Sequence, residues 1–440
     1  DIGSSTSSLN TLNIGEVGDD SKTTINGNVF ANSTVLNNNG TTNSSELILA
    51  SGKNITSTIT TADNGKGILT LAGGTQTVTG TVGGVGASLE KVSSGATGAT
   101  STFVNNVYAN TVENTGTGAT TFQDNVVATN VNVNAGTSTF QDNLTATTTT
   151  ISTGTGNFNT VSGTTTSNLQ FTNNGTANLN TGLTGNVTTT ADNKGTLNLV
   201  GSNNQTVTGT VGGVGASLAE VNAGVNGSTS TFANDVYATN LDVEGTGTVN
   251  LDGNFTGTAI RYNANGTVIL ADTKNINSAI TTAVDNTGTL SLEGSSTVTG
   301  QVGASGASLK VINAGANSST STFNSDVYVT NLNVTGSGTV ILNSDLTGNV
   351  VTTGNQGILT TTGATQTITG NVGSLSSSVN TLNVGSNTDA TNYSTTTING
   401  NVFATSTVLN NNGTTNSSEL ILASGKNITS TITTADNGKG

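Results

Sequence analysis

Phenylalanine returns along this chain on a short, almost fixed step. Phe103, Phe122, Phe140 and Phe158 are separated by 19, 18 and 18 residues, and their surroundings rhyme as STFVNNVYAN, TTFQDNVVAT and STFQDNLTAT. The same string comes back around Phe232 as STFANDVYATNLDV and around Phe323 as STFNSDVYVTNLNV. A longer repeat is superposed on it. A T-V/I-T-G tetrapeptide closes at Gly80, Gly209, Gly300 and Gly370, which marks off units 1–80, 81–209, 210–300, 301–370 and 371–440. From the first Phe of this series in a unit to the closing Gly is 106 residues in the second unit, 68 in the third and 47 in the fourth. The units therefore differ by 38 and 21 residues, close to two short periods and to one. Independent sandwich domains do not change length in such steps, whereas a solenoid accepts whole coils without disturbing their neighbours.

The local pattern agrees. Val236 and Ala238, then Leu241 and Val243, then Val249 and Leu251 alternate with polar residues, which is the period of a strand buried on one face. Asn234-Asp235, Glu244-Gly245 and Asp252-Gly253 fall between these runs, and Asn, Asp and Gly tolerate the backbone of tight corners. The expected fold is an all-β parallel β-helix or β-solenoid with roughly 18–20 residues per coil. All five units would form one continuous stack of about 20 to 24 coils rising about 4.8 Å each, a rod on the order of 100 Å long. The second unit carries extra coils and the fifth is a truncated copy of the first. Both ends cut across a repeat, so an excerpt of a longer protein is expected. Loops at Glu16–Lys22 and Ser386–Tyr393 are expected to protrude.

Composition fits a thin core and removes most chemistry. Only 8% of the residues are charged and 3% aromatic, too little bulk for a large globular interior. The chain has no histidine and no cysteine, so Ser-His-Asp and Cys-His catalysis and thiolate metal sites are excluded. GGVGAS at Gly83–Ser88 lacks the Lys-Ser/Thr ending of a phosphate loop, and its glycines read as corners. Asp235 and Asp242 could pair as glycosidase carboxylates but read better as solvated corners. Glu16, Asp19 and Asp20 form the densest acidic loop and are a weak candidate for Ca²⁺. The structural core ladder is assigned to Phe103, Phe122, Phe140, Phe158, Phe232 and Phe323. No enzyme activity and no cofactor other than that Ca²⁺ is expected. Ten Lys and Arg against 24 Asp and Glu give a net charge of −14, which disfavours nucleic acid and anionic membrane as partners.

The stretch TTADNGKGILTLAGGTQTVTGTVGGVGASLEKV, Thr60–Val92, with its echoes at Thr188–Glu220 and Thr281–Val311, resembles the passenger region of rickettsial outer-membrane autotransporters, the surface cell antigens. That resemblance implies export through an outer-membrane β-barrel and display at the bacterial cell surface. It also implies an adhesin or stalk that attaches to host or neighbouring cells, with no direct membrane insertion by this segment. It supplies no catalytic residue. The alternative expectation is a structural subunit of an extracellular filament or surface layer, which binds copies of itself.

Overall fold

The computed structural model describes residues 1–38, 43–386, 393–410 and 417–435. Among them every regular element is a β-strand, and the strands form two parallel sheets wound as a β-solenoid. The chain divides into two compact units, Asp1–Val221 and Asn222–Gly440, and each is a stack of coils.

A plain coil is built from one four-residue strand and one eight-residue strand. Thr100–Phe103 alternates out and in and ends on a buried Phe. In Val107–Asn114 the buried residues are Val107, Ala109, Val112 and Asn114. The alternation slips by one residue at Asn110–Thr111, where two consecutive side chains face outward. A strand can do this only by turning a corner, so each coil has three faces. Burial is nearly complete for the inward apolar residues; Val107, Val126 and Leu144 are each fully buried.

In the first unit, Lys22–Ile25, Glu46–Leu49 and Ile68–Leu71 stack as the first face. Val29 and Ile55 lie on the second face, and Ser33–Leu36 pairs with Thr58–Thr61 on the third. Coil spacing tracks the sequence repeat: Phe103 pairs with Phe122, Phe122 with Phe140, and Phe140 with Phe158, in parallel register.

Hydroxyl groups share the lumen with the aliphatic residues expected there. Thr34 and Ser57 hydrogen-bond at 2.8 Å, Thr149 and Ser167 at 2.9 Å, and Ser94 and Thr120 at 3.0 Å, each pair buried and joining different coils. A hydroxyl satisfied by the next coil avoids the penalty of a buried unpaired polar group. Corners are tied in the same way. The Asn28 side-chain Oδ1 accepts the backbone N–H of Asn54, and the Asn54 Oδ1 that of Thr77. In the second unit the series Asn349, Asn371, Asn401 and Asn427 repeats this link at 2.8–3.0 Å.

The repeated string that ends each sequence unit has an unexpected role. Thr75–Val78 resembles a first-face strand, yet Val78 stacks on Ile55 of the second face. Val82 then bridges Ile59 of the third face, and Leu89–Ser94 returns to the first face over Ile68–Thr70. After this coil every element has moved on by one face. Thr100–Phe103 lies on Thr75–Val78, Val107 on Val82, and Thr111–Asn114 on Lys91–Ser94. The boundary string therefore rotates the pattern by one third of a coil. The same switch occurs twice in the second unit. Ser296–Val298 stacks on Asn275–Ile276 and carries Thr320–Phe323, while Ile368 stacks on Leu346 and Thr365–Ile368 carries Thr395–Ile398.

Candidate binding site: the boundary hairpins

Each switch leaves a short hairpin at a corner. Gly84 and Ala87 exchange both backbone hydrogen bonds at 3.0 Å, which closes a two-residue turn at Val85–Gly86. Gly86 has φ 74°, the left-handed backbone that such a turn requires and glycine adopts without strain. The same reciprocal pair recurs at Ser4/Ser7, Gly213/Ala216, Ala304/Ala307 and Ser374/Ser377. Three of the five tips are apolar and open to solvent: Val85 is 91% exposed, Val214 89% and Leu375 84%.

The hairpin stem is pinned from the coil below. Asn64 Oδ1 accepts the Ser88 backbone N–H at 2.9 Å and the Ser88 hydroxyl at 2.8 Å. Asn355 holds Ser378 in the same way at 2.8 and 3.1 Å. In two further copies of the five a carboxylate replaces the amide: Asp192 accepts from Ser217, and Asp285 from Ser308 at 2.9 and 2.5 Å. The Ser217 and Ser308 hydroxyl and backbone donors stabilise the ionised carboxylates and hold the pKa of Asp192 and of Asp285 below the ordinary carboxylate value.

A folded-state value below the unfolded one contributes stability above the unfolded value, and that contribution fades as pH falls through the folded one. The Ser308 amide is therefore expected to exchange with solvent at a pH-independent protection from pH 7 to about 5. Protection should drop below the ordinary carboxylate range. D285N should keep the pin, as Asn64 and Asn355 do, and remove the acid-side drop. Hydrogen exchange followed at Ser308 across that range checks this; an equal drop in D285N would reject it.

Above four of the five stems sits an aromatic residue of the next coil. The Tyr108 backbone N–H donates to Val82 at 2.7 Å, Phe30 to Ile2 at 2.8 Å, Tyr328 to Val302 at 2.7 Å and Phe403 to Val372 at 2.8 Å. All four rings are half-buried. This aromatic series follows every boundary in the sequence as NVF, NVY, DVY, DVY and NVF, which was the available signal. Sequence reasoning passed over it because the residues fall on the outward phase of their strands.

The candidates drawn from the sequence lie elsewhere. Phe103, Phe122, Phe140 and Phe158 form one buried stack with ring centroids 5.0, 5.1 and 5.4 Å apart. The column continues below as Val78 and above as Leu179 and Leu199. Phe232 and Phe323 are buried too, but each is followed by Leu251 or Leu342 rather than another ring.

Glu16 and Asp19 face each other through backbone, with Asp19 N–H donating to the Glu16 carbonyl at 3.0 Å. Asp20 accepts from the Asn43 amide at 3.3 Å. Among the described residues no three His, Cys, Asp or Glu side chains are grouped to hold one metal ion. Most of the loop Ser386–Tyr393 lies outside the described residues.

Asp242 is not a solvated corner. It sits inside the strand Val236–Val243, 4% exposed, and receives Nε at 2.5 Å and Nη2 at 2.6 Å from Arg261, one coil on. The Arg261 guanidinium neutralises the carboxylate through this two-pronged contact. On the first face of the first unit Glu46 pairs with Lys22 at 2.8 Å. Burial pushes the Glu46 pKa up, but the Lys22 and Thr70 hydrogen bonds and the charges of Lys22 and Lys91 outweigh it and leave the carboxyl below its usual range.

Fold and surface thus define a parallel β-solenoid repeat protein with protruding boundary hairpins. No protein-family model, curated protein or solved structure matches the chain.

Proposed function

We propose that this chain is a surface-displayed, autotransporter-like repeat passenger that acts as an adhesin or stalk, by contact rather than catalysis. The observation that supports the reading most is the apolar tip of the boundary hairpins. Val85, Val214 and Leu375 stand on stiff two-residue turns in a surface otherwise dominated by Thr, Asn, Ser and Gly. Exposed valine and leucine at projecting positions bury nothing in their own coil, so their apolar area is free for a partner. The partner is a host-cell or neighbouring-cell surface, and the setting is extracellular.

The test is attachment of the purified chain to host cells. The triple variant V85D/V214D/L375D is expected to keep its far-ultraviolet β-sheet spectrum and its unfolding midpoint, because all three side chains are exposed. Attachment should fall about tenfold or more, as loss of several contact residues does. Wild-type protein that does not attach, or a triple variant that attaches equally well, would overturn the reading. Assembly of the wild type into filaments without attachment would favour the structural-subunit alternative.

A further inference from the structure

The Gly84–Ala87 hairpin overhangs a cleft of about 510 Å³ in the first unit. Its floor is apolar, formed by Tyr108 with Val127 and Ala128 of the next coil; Asn64, Asn110 and the tip residue Val85 stand around it. No charged side chain lines it. We propose that this cleft binds one ring of a neutral saccharide. The proposal rests on the contact reading above and names the ligand class for one hairpin.

The chemistry of the lining carries the assignment. A pyranose presents an apolar C–H face and a rim of hydroxyls, and it is held by an aromatic ring beneath with donors and acceptors at the edge. Tyr108 gives the ring. Its hydroxyl makes no hydrogen bond to the described residues, and neither does the Nδ2 of Asn64 or of Asn110, so three donors remain for sugar oxygens. Asn64 Oδ1 is already engaged by Ser88, which fixes the amide so that Nδ2 is its unused end.

Other ligand classes fit poorly. A peptide strand has no edge to join, since Tyr108–Ala109 pairs with Val127–Ala128 on one side and Ala109 with Leu89 on the other. Phosphate or sulfate would find no cation in the lining and an acidic chain around it. The volume falls in the range of small-molecule sites, about 300–1,000 Å³.

The same recipe occurs a second time in the first unit. Under the Ser4–Ser7 hairpin a cleft of about 270 Å³ is lined by Ser4, Ser8, Phe30, Asn32 and Thr56, again an aromatic ring with amide and hydroxyl groups and no charge. Ser8 donates to Asn32 Oδ1 at 3.1 Å, as Ser88 does at 3.5 Å to Asn110, the residue at the matching position.

The experiment uses the full chain on immobilised neutral tetrasaccharides of glucose, galactose, mannose and N-acetylglucosamine, with sialylated and sulfated tetrasaccharides as further arms. Retention on at least one neutral arm is expected. N110A, which alters an exposed side chain, should weaken it severalfold, the size of one hydrogen bond. Y108A should weaken it about tenfold, the size of one aromatic contact. Y108F should fall between wild type and Y108A. Far-ultraviolet circular dichroism and the unfolding midpoint keep loss of fold apart from loss of binding.

Retention on no arm, retention on the charged arms alone, or N110A and Y108A both equal to wild type would overturn the proposal. Cell attachment measured in parallel separates the two readings. Wild type that attaches to cells but ignores all neutral sugars ends the saccharide assignment and leaves the adhesin reading standing. Wild type that binds a neutral sugar through Tyr108 without attaching to cells does the reverse.

Discussion

Replacing Phe122 by alanine is expected to cost about 3–5 kcal/mol in the coils it joins, the range for emptying a buried aromatic site. Its ring is 2% exposed and stacked between Phe103 and Phe140, so no solvent or neighbouring backbone can fill the space. In a stack of coils the loss should be local, because each coil contacts chiefly the one below and the one above. Amide exchange should therefore accelerate over residues 100–158 and leave Lys22–Leu71 near its wild-type protection. Phe323→Leu is the matching control. Its column already continues as Leu342, and a hydrophobic replacement of similar shape should cost less than about 1.5 kcal/mol. A Phe122→Ala loss below that of Phe323→Leu would contradict the ladder as the main filler of these coils.

The second large effect is expected at the glycine that closes the boundary string. A Cβ on Gly80 would fall on the carbonyl of Ser57 in the coil below, and one on Gly300 on the carbonyl of Ser278. Gly209 and Gly370 meet the carbonyls of Gly185 and Gly348 in the same way. The obstacle is backbone held in the coil, not a side chain that can swing aside. Gly80→Ala should therefore cost about 3 kcal/mol, the upper end for overfilling a packed interior. Gly84→Ala, four residues on, meets nothing within 4 Å and should be neutral or slightly stabilising. Urea unfolding of the two variants side by side checks the pair; equal stabilities would show that the coils do not approach as closely as the glycine requires.

These two positions also show what the sequence could reveal. The Phe step was legible because successive rings pair in register, so their separation in sequence is the length of a coil. The alternation at Val236–Leu251 was legible because one side of each strand faces the lumen. The switch of faces was not. Thr75–Val78 and Ile68–Leu71 have the same local pattern, and nothing in either string says which face it occupies. Coil length does not say it either: the step is 24 residues from Lys22 to Glu46, which share a face, and 25 from Val78 to Phe103 beside the switch. Only the pairing of Val78 with Ile55 places the string on the second face.

Asp242 was misread for a related reason. It precedes a Glu-Gly corner, and only the position of Arg261 one coil later gives it a buried partner. The aromatic floor of the hairpin clefts was hidden because a ring on the outward phase of a strand looks solvent-facing until the overhanging hairpin is in place.

The switch of faces has a geometric consequence within the first unit. Ile2 lies on Val29 of the second face, Val82 on Ile59 of the third, and Val211 on Val187, which descends through Leu169, Thr149, Val131, Val112 and Val92 to Leu69 of the first. The three hairpins that follow these residues thus leave from three different corners, one for each edge of the triangular section. Height and bearing are then set independently. Copying a plain coil lifts everything above it by one strand spacing, about 4.8 Å, and turns nothing. Copying a boundary segment turns everything after it by a third of the circumference. A chain that lengthens by duplicating its own near-identical segments can in this way aim successive contact points around its axis, with no change to the amino acids that make them.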